Sequence, residues 1–248
     1  MRIRRAIDRI SHRGAEVAAI GTAGVGLFAL GTWVFGQWRF STFGPEYVPM
    51  APSTAVLFVL LGLAMGACHR WPEVRSVRII AVASAITTMV VSALVAAQSW
   101  SYFPLPWDGW LTYPDLRTGA IPLGRMSPLT AAAFLLSAGS LLVRAPGRPV
   151  TRLLRWSAAI AAATALLVGL VIALGYASGT PLFYGGHAVP MALLPAIAVV
   201  ALNLGLLLSA GAVSCLLDWF SLGLDSAVSE TQLRFVSRLL TILAGLVV

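Results

Sequence analysis

The chain has 248 residues, is 58% hydrophobic and only 10% charged, and has a mean hydropathy of +0.87. That balance excludes a soluble domain, because apolar residues this abundant must fill both a core and a lipid-facing shell, as in a polytopic membrane protein. The net charge of +8 comes from arginines set in short clusters between apolar runs; this argues against a nucleic-acid surface and fits charges that orient a chain in a bilayer.

The opening MRIRRAIDRISHR resembles the basic region of a signal peptide. No small-residue cleavage site follows the first apolar run, so 1–16 reads as a cytoplasmic segment and the run itself as an uncleaved anchor. A helix needs about 20 apolar residues to cross a bilayer. The stretches 17–35, 51–68, 79–97, 128–143, 156–175 and 191–217 meet that need, the fourth being a little short, and none has a Lys, Arg, Asp or Glu in its interior. They define a six-span membrane domain over 17–217.

Arginine placement sets the orientation. Arg2, Arg4, Arg5, Arg9 and Arg13 precede the first span, Arg70, Arg75 and Arg78 join the second to the third, Arg144, Arg148, Arg152 and Arg155 join the fourth to the fifth, and Arg234 and Arg238 follow the sixth. The alternate connections hold only Arg39, Arg117 and Arg125. This bias puts the N terminus in the cytoplasm and makes 36–50, 98–127 and 176–190 outer loops. Cys68 and Cys215 then both lie at inner ends, where a disulfide is not expected. After the sixth span comes a connector, 218–235, which carries Asp218, Asp225 and Glu230. A last apolar run, 236–248, is too short to cross and reads as the start of a seventh helix of a longer protein.

One phrase recurs at the start of the even-numbered spans: YVPMAPSTAVLFVLLGLA, GRMSPLTAAAFLLSAGSLLV and AVPMALLPAIAVVALNLGLLLSAG. The first two copies share proline (Pro52, Pro128), threonine (Thr54, Thr130), alanine (Ala55, Ala131) and phenylalanine (Phe58, Phe134); the third keeps Met191 and Ala196 but has Leu193 and Pro195 where proline and threonine stood. Ser127–Pro128 suits a helix start, since serine caps a free N–H and proline needs no donor at the first position. The expected fold is therefore all-α: a polytopic membrane helical bundle of three parallel two-helix hairpin repeats plus the start of a seventh helix. Small residues four apart (Ala81, Ala85, Ala93, Ala97; Ser157, Ala161, Ala165, Gly169) and the Gly62/Gly66 GxxxG predict close helix packing within the bundle.

Chemistry-bearing residues are sparse. His12 and His69 fall at the inner side and His187 outside, so no bis-histidine haem is expected across the bilayer. Asn203 is the polar residue inside a span and reads as an interhelical hydrogen-bonding group. The outer loop 98–127 holds Trp100, Tyr102, Phe103, Trp107, Trp110 and Tyr113, rings suited to the interface or to the wall of an apolar ligand site. No nucleophile motif, phosphate loop or metal-spaced cluster is present, so no catalytic residue, cofactor or metal site is assigned.

The repeated phrases, followed by GTPLFYGGHAVPMAL, resemble the N-terminal membrane region of bacterial multidomain signalling proteins, chiefly PAS-containing sensor histidine kinases, with some cyclic-dinucleotide enzymes. The resemblance covers about residues 20–215 and rests on short apolar motifs. It implies a membrane sensory input region that passes a stimulus from the outer face or the bilayer to cytoplasmic output domains, through which the protein would dimerise. The helix starts then become the expected site for a small or apolar ligand: Met50, Thr54, Met126, Thr130, Tyr184, His187 and Met191. The rival readings are a structural subunit of a larger membrane complex and a transporter of a neutral or lipidic substrate.

Overall fold

A computed structural model describes residues 2–42, 47–101, 117–118, 121–122, 124–144, 150–182 and 189–209. Among these, six α-helices carry the fold: α1 (Arg2–Val34), α2 (Pro52–Arg70), α3 (Arg75–Ser101), α4 (Pro128–Arg144), α5 (Arg152–Ala177) and α6 (Leu193–Ser209). A 3-10 turn (Trp38–Ser41) follows α1, and a two-residue antiparallel ribbon pairs Arg117–Thr118 with Ile121–Pro122. Four helices are long and apolar enough to cross a membrane: Ser11–Val34 within α1, α2, Arg75–Gln98 within α3, and α5. The helices α4 and α6 are apolar but shorter at 17 residues each, or roughly 25 Å of rise. The connector 218–235 and the run 236–248 lie outside the described residues, as do Cys215, Tyr184, His187 and the aromatics of 102–113.

The helix boundaries follow local chemistry. Pro52 opens α2 in its first turn, where a missing N–H costs nothing. At α4 the Ser127 Oγ accepts from the Thr130 backbone N–H at 3.0 Å, the cap expected of that serine. Thr151 does the same for α5, accepting from the Leu154 N–H at 3.4 Å. Nothing breaks α1 near residue 16; the basic opening and the apolar run are one helix.

Packing divides the helices into two kinds. The most extensive pairings are α1 with α2, α3 with α4 and α5 with α6; α2–α3, α4–α5 and α1–α6 complete a closed ring. The even helices also meet one another in the middle. In α6, 12 of 17 residues are buried, whereas α5 buries 6 of 26. A helix that is apolar all round belongs inside a bundle, and one with a single buried stripe belongs at its edge.

The small-residue stripes need correction. Ala81, Ala85, Ala165 and Gly169 are buried as expected, but Ala93, Ala97 and Ser157 are exposed and Ala161 is only half-buried. The buried face of α5 is Ala158, Ala162, Ala165, Gly169, Ile172 and Tyr176. That of α3 includes Ala81, Ala85, Thr88, Ser92 and Val95. Both alternate steps of four and three. A strict four-residue stripe overshoots a full turn by about 40° per step and winds off the interface; alternation holds the contact line.

The GxxxG expectation resolves onto α1. A Cβ on Gly62 would lie 2.7 Å from the Ala23 backbone nitrogen and 3.0 Å from the Ala19 carbonyl, so only glycine lets α1 and α2 approach this closely. Gly26 plays the reciprocal part, 2.7 Å from the Ala55 carbonyl by the same measure.

Candidate functional site

The ends of the helices gather at two faces of the bundle. On one face, the turn of α1 around His12 meets the last turn of α2, and Gly14 abuts Leu208 of α6. The Met-led starts of α2 and α6 lie on the opposite face, each bound to the end of the helix before it.

The described members of the expected ligand site are all interior. Met50 and Met191 are 1% exposed, Thr54 1%, Thr130 2% and Met126 6%. The three methionines belong to one continuous apolar core that also holds Phe58, Phe134, Leu202 and Leu206. Each methionine stands two residues before its helix, where its carbonyl is buried without a helical partner. At α2 that carbonyl is satisfied by the Trp33 indole, whose Nε1–H donates to Met50 O at 2.7 Å. At α6 the Tyr176 hydroxyl donates to Met191 O at 3.0 Å. A buried main-chain acceptor without a partner would cost about 1–3 kcal/mol, so both aromatics lock the entry of the chain into a central helix.

Sequence reasoning missed this pair of ties, yet a signal was present. Trp33 and Tyr176 are each the penultimate residue of an odd helix and each carries a donor on an otherwise apolar ring. The same position in α3 is Trp100. Tyr47 meets Tyr176 edge to face at 5.3 Å between centroids and so links the α1–α2 hairpin to α5. Beside it, Trp38 stacks on Trp33 and lies under the Arg39 guanidinium.

Deeper in the bundle, Phe58 and Phe134 are fully buried with centroids 4.5 Å apart, joining α2 to α4. One layer further, Asn203 of α6 closes on Ser137 of α4. Its Nδ2 donates to Ser137 Oγ at 2.9 Å and to Val199 O at 2.9 Å, and Ser137 Oγ lies 3.0 Å from Asn203 Oδ1. The expected interhelical role of Asn203 is thus met. Ser140, one turn on, is fully buried and its hydroxyl has no partner. At the end of α4, Arg144 Nη1 donates to the Leu206 carbonyl of α6, which also accepts from Ser209 Oγ at 3.0 Å.

On the face where α2 ends, the rings of His12 and His69 approach to 4.4 Å between centroids, tilted by 49°. Glu16, one turn beyond His12, lies 3.7 Å from the Arg70 guanidinium. Both of those side chains are substantially exposed, so the pair contributes little to stability. Cys68 is a free thiol. Among the described residues, no three His, Cys, Asp or Glu side chains come together to hold a metal ion. The arrangement of the described residues offers packing, hydrogen-bond ties and helix ends.

No family model matches this chain, and neither the curated proteins nor the solved structures give a match.

Proposed function

We propose that the chain is the membrane-embedded sensory input region of a bacterial signal-transduction protein, of the sensor histidine kinase class. In this reading three parallel two-helix repeats sit in the inner membrane with the N terminus in the cytoplasm. A seventh helix, begun at 236–248, leads to cytoplasmic output domains through which the protein dimerises. The ligand is small or apolar and arrives from the outer face or the bilayer.

The observation that supports this best is the continuity of the core. Met50, Met126 and Met191 share one cluster with Phe58, Phe134 and the body of α6, the helix that leads into the connector. A change in how the Met-led starts seat would be felt along α6, because close-packed interiors rearrange between discrete states instead of deforming smoothly. A ligand shifts such an equilibrium only by its differential affinity for the two arrangements. Transport is supported less well: the middle of the bundle is filled by Phe58 against Phe134 and by the closed Asn203–Ser137 pair.

The test is a set of near-isosteric changes in the full-length protein: Met50→Leu, Met126→Leu, Met191→Leu, Thr54→Val and Thr130→Val, with Tyr184→Phe and His187→Gln in the adjoining loop. Autophosphorylation is measured in vesicles with and without stimulus. The reading predicts shifted response with normal insertion. An unaltered response throughout rejects the site, and a cysteine near position 110 that is labelled only after cells are broken open rejects the orientation.

A further inference from the structure

The contact between His12 and His69 is not used by the reading above, and it has features of a site. The two residues lie on different helices, 57 positions apart in the chain, and meet where α1, about three turns from its start, passes the end of α2. Their ring centroids are 4.4 Å apart, with the planes tilted by 49° instead of stacked flat. His12 is exposed and His69 is half-buried. The Nε2 of His69 is shut away from solvent and has no hydrogen-bond partner of good geometry, while the ring as a whole is within hydrogen-bonding reach of the His12 main chain. An imidazole nitrogen left without a partner in this way is a free donor or a free ligand, according to its protonation. On α1 the spacing of four residues puts Glu16 on the same side as His12, and its carboxylate is held only loosely by Arg70 at 3.7 Å.

We propose that His12 and His69 form a two-imidazole bridge for a divalent transition-metal ion of the zinc or copper type, clamping the turn of α1 around His12 to the last turn of α2. Neutral imidazole is the natural ligand of these borderline ions, whereas magnesium and calcium demand oxygen donors. Zinc–nitrogen bonds of about 2.0–2.1 Å require the two nitrogens to converge on one point. The His12 ring, the more exposed of the two, turns to meet the enclosed Nε2 of His69. Water completes the coordination, consistent with there being no third protein ligand in position among the described residues. Glu16 supplies nearby negative charge and accepts a hydrogen bond from a bound water. A site with two protein ligands is exchangeable and not structural, so occupancy follows the metal supply and adjusts how firmly α1 and α2 are joined at this face.

The proposal is independent of the sensory reading and is tested on the chain itself. Tag-free protein in lipid nanodiscs is titrated with zinc against a chromophoric chelator, alongside His12→Asn, His69→Asn, the double variant, Glu16→Gln and Cys68→Ser. Copper(II) is then added and its electron paramagnetic resonance spectrum read for nitrogen couplings. The expected result is one zinc per chain, weakened roughly tenfold or more by either histidine change, with Glu16→Gln weaker in effect and Cys68→Ser without effect. The copper spectrum carries the pattern of two equivalent imidazole nitrogens in the parent and of one in each single variant. Circular dichroism of the asparagine variants matching the parent keeps the comparison valid; should either unfold, His12→Gln and His69→Gln replace them. Zinc uptake equal in the parent and the double variant overturns the proposal, as does binding removed by Cys68→Ser.

Discussion

The even and odd helices are nearly alike in composition and opposite in use. Both sets are runs of Ala, Leu, Val and Ile with scattered Gly and Ser, yet α6 is buried almost all round while α5 shows its Leu167, Leu170, Val171 and Leu174 to the outside. Hydropathy marks both sets as apolar and cannot rank them, because lipid is as apolar as the protein interior. What separates them is the kind of residue that neighbours accept. Central helices hold the large rings Phe58 and Phe134 and the amide Asn203, all needing partners on more than one side. Peripheral helices present one narrow line, mostly of Ala, Gly, Ser and Thr, with larger residues such as Trp33, Val95 and Tyr176 towards its end.

That contrast is broken most sharply by Phe58→Ala or Phe134→Ala. Either leaves a cavity where α2 meets α4 and costs about 3–5 kcal/mol in reversible unfolding in mixed micelles. Ile160→Ala and Leu167→Ala, on the exposed side of α5, change stability by no more than about 0.5 kcal/mol in the same assay. Equal losses from the two sets would erase the distinction between inside and outside helices. Next in size is Gly62→Leu. The added side chain meets the α1 backbone, which cannot yield as a flexible side chain would, and the cost is about 1–3 kcal/mol or more. Gly139→Leu, where a Cβ meets nothing within 4 Å, is the matched control and stays close to the parent.

The polar centre sharpens the comparison through asymmetry. Ser137→Ala strands Asn203 Oδ1 in the interior and costs about 1–2 kcal/mol. Asn203→Leu removes the amide altogether and leaves Ser137 bonded to Ala133 O at 2.8 Å, so it costs less, and the double variant less than Ser137→Ala alone. If both single changes cost the same, the pair acts through packing and not through its hydrogen bond.

Much of this architecture is legible in the chain. The Pro52 and Ser127–Pro128 helix starts, the GxxxG contact of Gly62 and the interhelical role of Asn203 follow from local rules, and the structure bears them out; the six apolar runs all contain helices, of which four are long enough to cross a membrane. Local rules also explain what was misplaced. Ala93 and Ala97 look equivalent to Ala81 and Ala85 when counted in fours, and only the heptad-like turn of a packed interface sends them outward. The meeting of His12 with His69 had no such signal, because nothing within either helix records which turn of the other it faces. The expected ligand residues are helix starts beside an outer loop, and the described ones are interior; at α2 and α6 the chain enters the central helix beneath an aromatic tie. Tyr184 and His187 lie outside the described residues.

Those ties give the smallest and most local prediction. Tyr176→Phe removes a single oxygen, keeps the ring against Tyr47, and leaves Met191 O without its donor. The expected cost is about 1 kcal/mol, too little to unfold the bundle but enough to loosen the entry into α6. Trp33→Phe loses the matching bond to Met50 O along with part of the ring that stacks on Trp38, so it costs somewhat more. Hydrogen exchange separates the two explanations available for such modest losses. If the ties hold the entries, protection falls at the amides of 191–196 in Tyr176→Phe and of 50–55 in Trp33→Phe, while the Asn203 turn stays protected in both. A uniform fall across α2 and α6 would mean that the aromatics merely fill space. The central helices would then owe their position to the Phe58–Phe134 layer alone, and the Met-led starts would be incidental to it.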